Sequence, residues 1–216
     1  MVQMNLKQAE NQQEPSDGSL LHAWKDGDAP AFTELVRRYE SGLIRHAKAL
    51  LGEAGAYEDV VQDSLLKLAR GGLVIPADVA GNPESERRVM SAWLHKVVRN
   101  GCMDMIKTEG RRRARERAAA APEAAPERAP EIEMEDTQGT VRAALAALPV
   151  DQREVLTLRL FEEKSYRDIA EVTGKKVGTI GWLISEGLQV LAVRLAPVLG
   201  EAGNTSMNIG TTSGGA

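Results

Sequence analysis

The side chains in this chain that are equipped for chemistry are mostly cations, and their spacing suits the holding of a polyanion. Between Arg87 and Arg117 ten basic residues (Arg87, Arg88, Lys96, Arg99, Lys107, Arg111, Arg112, Arg113, Arg115 and Arg117) face only Asp104, Glu109 and Glu116. Just beyond, Glu123, Glu127, Glu131, Glu133, Glu135 and Asp136 oppose Arg128 alone. The formal net charge of −4 argues weakly against a nucleic-acid partner, but it averages over a basic block and the acidic block that follows it. Helix solubility and compensation of a helix dipole are the plain alternative for the arginine run. Bond-making chemistry has no comparable support. His22, His46 and His95 are scattered and read as core or surface histidines, and no Cys/His cluster has metal-ligand spacing. The glycines of GKKVGTIG lack the GK[ST] ending of a phosphate loop. No catalytic residue, no metal and no cofactor is expected.

The elements that must carry these cations are helices. Aromatic residues make up only 4% of the 216 residues, so any core is aliphatic, built from Leu, Val, Ile and Ala, a supply that fits helical bundles. The one cysteine, Cys102, excludes an internal disulfide framework and suits a reducing compartment. No apolar run approaches the length of a membrane span and the first residues do not resemble a signal peptide, so the expectation is a soluble, cytoplasmic chain without membrane insertion.

Residues 1–18 are polar and are expected to be disordered. A short helix holding Leu20, Leu21 and Trp24 comes next. Asp28 as N-cap and Pro30 in the first turn then open a helix with Phe32, Leu35, Val36, Tyr39, Leu43, Ala47 and Leu50 on one face. Gly52 and Gly55 end it. YEDVVQDSLLKLARGG repeats the pattern, and Gly71 with Gly72 stops it. Leu73 to Arg88 carries Pro, Gly and Asn punctuation and reads as a long loop, a feature that is usually functional inside a compact domain. A helix from about Ser85 to Arg113 turns Trp93, Leu94, Val97, Val98, Cys102, Met105 and Ile106 inward and Lys96, Arg99, Asn100 and Lys107 outward. Trp93 reads as core rather than as a stacking platform. Residues 114–139 form an Ala/Pro/Glu linker, 140–199 a second helical domain and 200–216 a flexible tail.

The second domain holds the best-formed motif. Ser165 and Asp168 are spaced to cap a short helix, Gly174 stops it, and Val177, Ile180, Ile184, Leu188, Leu191 and Leu195 recur at helical period after the turn. This is the shape of a helix-turn-helix, which suits DNA reading but also arises from any two short amphipathic helices.

With GDAPAFTELVRRYE, YEDVVQDSLLKL, AWLHKVVRNGCMDMIKTEGRRR and LPVDQREVLTLRLFEEKSYRDIAEVTG in this order, the chain resembles a sigma factor of the sigma-70 family, in the small extracytoplasmic-function (ECF, group 4) subclass. The resemblance implies an all-α fold: a region 2 bundle (19–113) and a region 4 helix-turn-helix domain (140–199) on a flexible acidic tether. It implies a promoter-specificity factor that binds core RNA polymerase at the clamp and flap, recognises −10 and −35 promoter DNA, duplex and melted, and is held by an anti-sigma factor. By the same resemblance Asp59, Val60, Gln62 and Asp63 meet the polymerase clamp, an ordinary solvated face being the alternative. The loop 73–88 holds a flipped base. Asn100 and Asp104 align with base-contacting positions, while Arg88, Lys96, Arg99, Lys107, Arg111, Arg112 and Arg113 lie along −10 DNA. The linker threads toward the polymerase active site, or is a plain solvated tether.

The −35 face departs from the family. Arg167, Lys175, Lys176, Gly178, Thr179, Gly181, Trp182 and Ser185 occupy it, yet the outward side of the second helix (Gly178, Gly181, Trp182, Ser185, Gln189) carries no cation. Trp182 packs against DNA, contacts a protein, or widens the buried stripe together with Leu183. Two further readings stay open: a sigma-like adaptor that docks on polymerase without reading a −35 element, and a stand-alone repressor.

Overall fold

The computed structural model describes residues 14–53, 55–119 and 137–205, and within them every regular element is an α-helix. The order is α1 (Asp17–Lys25), α2 (Ala29–Leu51), α3 (Tyr57–Ala69), α4 (Pro83–Ala119), α5 (Thr137–Ala146), α6 (Val150–Leu160), α7 (Tyr166–Thr173) and α8 (Val177–Thr205).

In the first bundle α2 is the centre, with α1, α3 and α4 laid against it. Its expected face is the buried one: Leu35, Tyr39, Leu43, Ala47 and Leu50 meet Leu68 of α3 and Met90, Leu94, Val98 and Cys102 of α4. Each fully buried leucine contributes roughly 2 kcal/mol of transfer free energy. Asp28 takes the N-cap position without a side-chain bond, and Pro30 supplies the first turn. Trp93 packs on this core, as expected, whereas Ile106 is 40% exposed because α4 has by then outrun the bundle.

Order begins earlier than residue 18. Ser16 caps α1 by accepting from the Ser19 N–H, and the buried Asp17 carboxylate accepts from the Tyr39 hydroxyl and from Arg38 Nη1 at 2.8 Å. Burial, reinforced by that carboxylate, pushes the Tyr39 phenol far above its ordinary range. The loop is also shorter than expected. Pro83 stands at the start of α4 and the Asn82 side chain accepts from the Ser85 N–H at 2.9 Å, so 83–88 are helical. At the far end α4 runs on to Ala119, and α5 starts at Thr137, so both edges of the expected 114–139 linker are helix. An Ala/Arg/Glu run is strongly helix-forming, and Arg112 pairs with Glu109 and Glu116 one turn away on either side. The helical stretch 200–205 likewise shortens the expected tail. The linker glutamates from Glu123 to Asp136, with Arg128, lie outside the described residues, as do 1–13 and 206–216.

In the second bundle Val155, Leu156 and Leu158 of α6 pack on Ile169 of α7 and on Ile180, Leu183, Ile184 and Leu191 of α8. The capping box is present: Ser165 Oγ accepts from the Asp168 N–H, and the Asp168 carboxylate accepts from the Ser165 N–H at 3.1 Å. Gly174 ends α7 at φ 71°, a backbone state that suits glycine. The buried stripe of α8 differs in membership from the expected one. Val177 and Leu188 are 45% and 44% exposed, and Leu183 is buried in their place. The helix starts at Val177 above the rim of the core, which leaves its first turn uncovered.

The two bundles are docked on each other, α6 against α2 and α7 against α4. A domain order on a tether does not imply that contact, and it arranges much of the site.

Candidate nucleic-acid interface

Helix α4 presents its polar side chains in two stripes. Lys96, Asn100, Asp104, Lys107 and Arg111 recur at three- and four-residue spacing and are all exposed, so they form one continuous ridge. Arg88, Ser91, His95 and Arg99 recur in the same way on a second stripe, about a third of a turn away round the helix. This second stripe faces the C-terminal bundle. The cations expected to share one face are therefore divided between an open ridge and the junction, where Arg99 is enclosed and Arg88 stays exposed at the rim.

On the ridge the charge is partly self-neutralised toward its end. Arg112 and Arg113 both donate to Glu109, at 2.7 and 2.9 Å, and hold that carboxyl low, at about 2. Arg112 also meets Glu116 at 2.6 Å, and Lys107 stands 3.9 Å from Asp104. Arg111 donates to the Lys107 carbonyl. These solvated pairs exchange readily for phosphate, because an exposed ion pair has little net stability.

In the junction the central partners are buried, while Arg45 and Arg88 stay exposed at its rim. Arg99 Nε donates to Glu154 Oε1 at 2.8 Å, and the same oxygen lies 3.3 Å from His46 Nε2. Glu154 and His46 are both fully buried, and Glu154 Oε2 has no hydrogen-bond partner. His95 Nδ1 stands 3.1 Å from His46 Nδ1, so one ring must donate and the other accept, which allows only one proton between them. Burial first, then His46, Lys164 and Arg45, hold His95 well below its ordinary value. Around this centre Arg45 pairs with Glu162 at 2.9 Å, Arg88 with Asp168 at 3.4 Å, Arg153 donates to the Ala49 carbonyl and Lys164 to Ser91. Burial lowers the Lys164 ammonium.

The helix-turn-helix face is open. Gly178, Thr179, Trp182, Ser185 and Gln189 of α8 are exposed, with Trp182 at 59%, and Gly181 is half-buried beside the Tyr166 ring. Leu183 thus widens the buried stripe and Trp182 does not. Arg167 and Lys176 are exposed, while Lys175 is tied to Asp151 at 3.0 Å.

On α3, Asp59, Gln62 and Asp63 are exposed, but Val60 is 6% exposed and packs on Gly101 of α4. Val60 is therefore a core residue and leaves the expected contact set, since it lies at the edge of the buried side of α3 with Val61, Ser64, Leu65 and Leu68. Beside the three lies an open groove of about 460 Å³ between α2 and α3, floored by Phe32, Val36, Ile44 and Leu65. The loop before α4 borders a hollow of about 370 Å³ with Val74, Ile75 and Ala80 in its wall, and Glu86 fixes its shape. That buried carboxylate accepts from the Gly81 N–H at 2.7 Å and the Gly18 N–H at 2.9 Å. Burial works to raise its pKa, but these bonds and one from Ser16 prevail and hold it low.

The junction residues Glu154, Glu162, His46 and His95 were not in the expected site. One signal was available: a glutamate inside the apolar run EVLTL, and a histidine on the apolar face between Leu43 and Leu50, each demand a buried partner. The pairing of His46 with His95 also corrects the view of the histidines as scattered, though both are core residues as expected.

Comparison with known proteins agrees with this architecture. The sigma-70 region 4 family matches residues 138–191. The ECF RNA polymerase sigma factor SigM of Mycobacterium tuberculosis is 31% identical over 196 residues, covering 91% of this chain and 90% of the relative. The RNA polymerase sigma-H factor of Pseudomonas aeruginosa is 27% identical, covering 86% and 97%. Among solved structures, the sigma factor RpoE of Bartonella quintana, in complex with the anti-sigma factor NepR, superposes with a TM-score of 0.56 at 24% identity, covering 76% of this chain and 96% of that one. CnrH, in complex with the cytosolic domain of CnrY, superposes at 0.54 and 22%, covering 85% and 99%. At these identities the structures speak for the fold alone.

Proposed function

The chain belongs to the ECF RNA polymerase sigma factors, and from that membership we propose that it binds core RNA polymerase, recognises −10 and −35 promoter DNA and assists promoter melting. The observation that carries the reading is the open ridge of α4, where Lys96, Asn100, Asp104, Lys107 and Arg111 line one face of a helix long enough to follow a DNA strand. Lys96, Lys107 and Arg111 hold phosphates, and Asn100 and Asp104 are placed to meet base edges. The hollow beside Val74 and Ile75 takes a base unstacked from the −10 element, since an irregular loop makes a pocket that a helix face does not.

Asp59, Gln62 and Asp63, with the apolar groove beside them, dock on the polymerase clamp. The region 4 domain, with Arg167, Lys175, Lys176, Gly178, Thr179, Gly181, Trp182 and Ser185 outward or at its turn, meets the −35 element and the flap. The family's chemistry is carried by the polymerase, and this chain needs no catalytic residue or cofactor of its own. An anti-sigma factor is an expected partner, as NepR is for the sigma factor RpoE of Bartonella quintana.

The test is transcription by purified chain and core polymerase on a library of genomic fragments, with start sites mapped. Aligned upstream sequences containing both elements are expected; no binding to core polymerase and no initiation from any fragment refutes the reading. The uncharged outward face of α8 favours a second reading, an adaptor that does not read −35 DNA. Gly181→Lys and Trp182→Ala decide between them: altered −35 preference supports direct reading, and unchanged preference in both supports the adaptor.

A further inference from the structure

Half of the hollow before α4 is made by another element than the loop. Gly18, Leu21, His22 and Lys25 of α1 stand on one side of it, and Val74, Ile75 and Ala80 of the loop on the other. The loop has little of its own to fix it there. Leu73 anchors its start in the core, but Val74 and residues 76–78 are exposed, and the Val79 and Ala80 N–H groups merely turn back on the Pro76 carbonyl, at 3.1 and 3.0 Å. Its far end depends on Glu86.

The buried Glu86 carboxylate accepts one backbone N–H from each side, Gly81 of the loop at 2.7 Å and Gly18 of α1 at 2.9 Å. The Gly18 N–H is a first-turn donor for which a helix offers no partner, so the carboxylate satisfies it and meets the positive end of α1. The approach is close: a Cβ on Gly18 would lie 2.6 Å from Glu86 Oε1. Helix α1 is itself held at both ends. Arg38 and Tyr39 of α2 bind the buried Asp17, Arg38 also donates to the Pro15 carbonyl at 2.9 Å, and Trp24 Nε1 donates to the Ala69 carbonyl at 2.9 Å. One wall of the hollow is thus fixed, and Glu86 sets how far from it the loop stands.

An unstacked base is selected by the shape of its pocket and by the groups along the walls. Resting on the base-pocket reading above, we propose that α1 is a wall of the −10 base pocket and that Glu86 is a positioning residue for base selection, acting through the distance it sets between α1 and the loop. This places His22 and Lys25, the polar side chains of the α1 wall, beside the unstacked nucleotide.

The test uses holoenzyme assembled from the full chain and core polymerase, on the strongest promoter that start-site mapping yields. Each −10 position is randomised in turn and the transcripts are sequenced. Gly18→Ala presses a Cβ on the Glu86 carboxylate, and alanine is the better helix former. Glu86→Gln sets an amide N–H against one of the two backbone N–H groups. Leu20→Ala, which weakens the core contact of α1 from outside the lining of the hollow, is the stability control. In both test variants the base preference at one −10 position should fall roughly tenfold, within what a single mismatched base commands. The other −10 positions and the −35 element should keep theirs, and Leu20→Ala should lower the melting temperature with every preference kept. Should Glu86→Gln lose helix, Gly18→Ala carries the test. Unchanged preferences overturn the proposal, as does a loss spread evenly over the promoter or a one-position loss shared by Leu20→Ala. The unaltered chain keeps the levels apart. Its initiation without preference at any −10 position refutes the base-pocket reading, and its failure to initiate from any fragment refutes the sigma reading beneath.

Discussion

The interior of each bundle and the centre of the junction between the bundles are both buried and are built from opposite materials. The interiors are aliphatic: Leu35, Leu43 and Leu94 in one, Leu156, Ile169 and Ile180 in the other, all excluded from solvent. The junction is ionic and centres on Glu154 between Arg99 and His46. Burying an apolar side chain is favourable whatever its neighbour, whereas a buried charge is tolerated only while its partner stays in place. The interiors therefore make each bundle fold, and the junction makes their docking conditional.

Removing a core side chain gives the largest effect. Leu156→Ala, which leaves a cavity between α6 and α8, should cost about 3 kcal/mol of unfolding free energy in urea denaturation, with the N-terminal bundle melting as before. Glu154→Ala should cost about as much or slightly less, because Arg99 and His46 lose the carboxylate they were buried against. Here the comparison makes a sharper demand. Glu154→Met, which fills the site without a charge, combined with Arg99→Met, should recover most of that loss, as Leu156→Ala cannot be rescued by any polar change. Equal, unrescued losses at the two sites would break the distinction.

Removal of the α7 cap, Ser165→Ala, should lower stability by about 1 kcal/mol, seen as a lower melting temperature of the C-terminal bundle. Acidity should act on the junction alone. His95 is held below the ordinary histidine value of 6.5 in the docked state, by burial first and then by His46, Lys164 and Arg45, although Glu162 stands 4.0 Å from its Nε2. The docked form thus binds fewer protons than the open one. Docking is at full strength above about pH 6.5 and weakens as pH falls below it, by at most about 1.4 kcal/mol per pH unit for one proton. Scattering between pH 7.5 and 5.5 should show expansion before any loss of helix, and His95→Gln should flatten the response. At the small end, Glu109→Gln breaks exposed pairs with Arg112 and Arg113 and should leave the melting temperature unchanged while tightening DNA binding.

Periodicity and punctuation made most of the helices legible. The α2 face from Leu35 to Leu50, the stop at Gly71, the Ser165–Asp168 box and the Gly174 terminator depend on residues a few positions apart, so local chemistry specifies them. Even the uncharged outward face of α8 followed from the period, and Trp182 stands exposed there. Errors gathered where a neighbour outside the window decides. Val60 turns inward because Gly101 of α4 admits it, and Val177 stays uncovered because nothing reaches the first turn of α8.

Two aliphatic helical bundles, the helix-turn-helix and a basic helix suited to phosphate are thus legible from residue order, since each rests on short-range spacing. Docking of the bundles settles what no spacing specifies: Arg99 is enclosed away from the open ridge, His46 finds His95, and Glu154 is buried between the bundles. His46 and Glu154 are 108 positions apart and meet at 3.3 Å. Coulombic and hydrogen-bonding partners of that kind are chosen by docking of finished surfaces, which leaves no period in the chain to read.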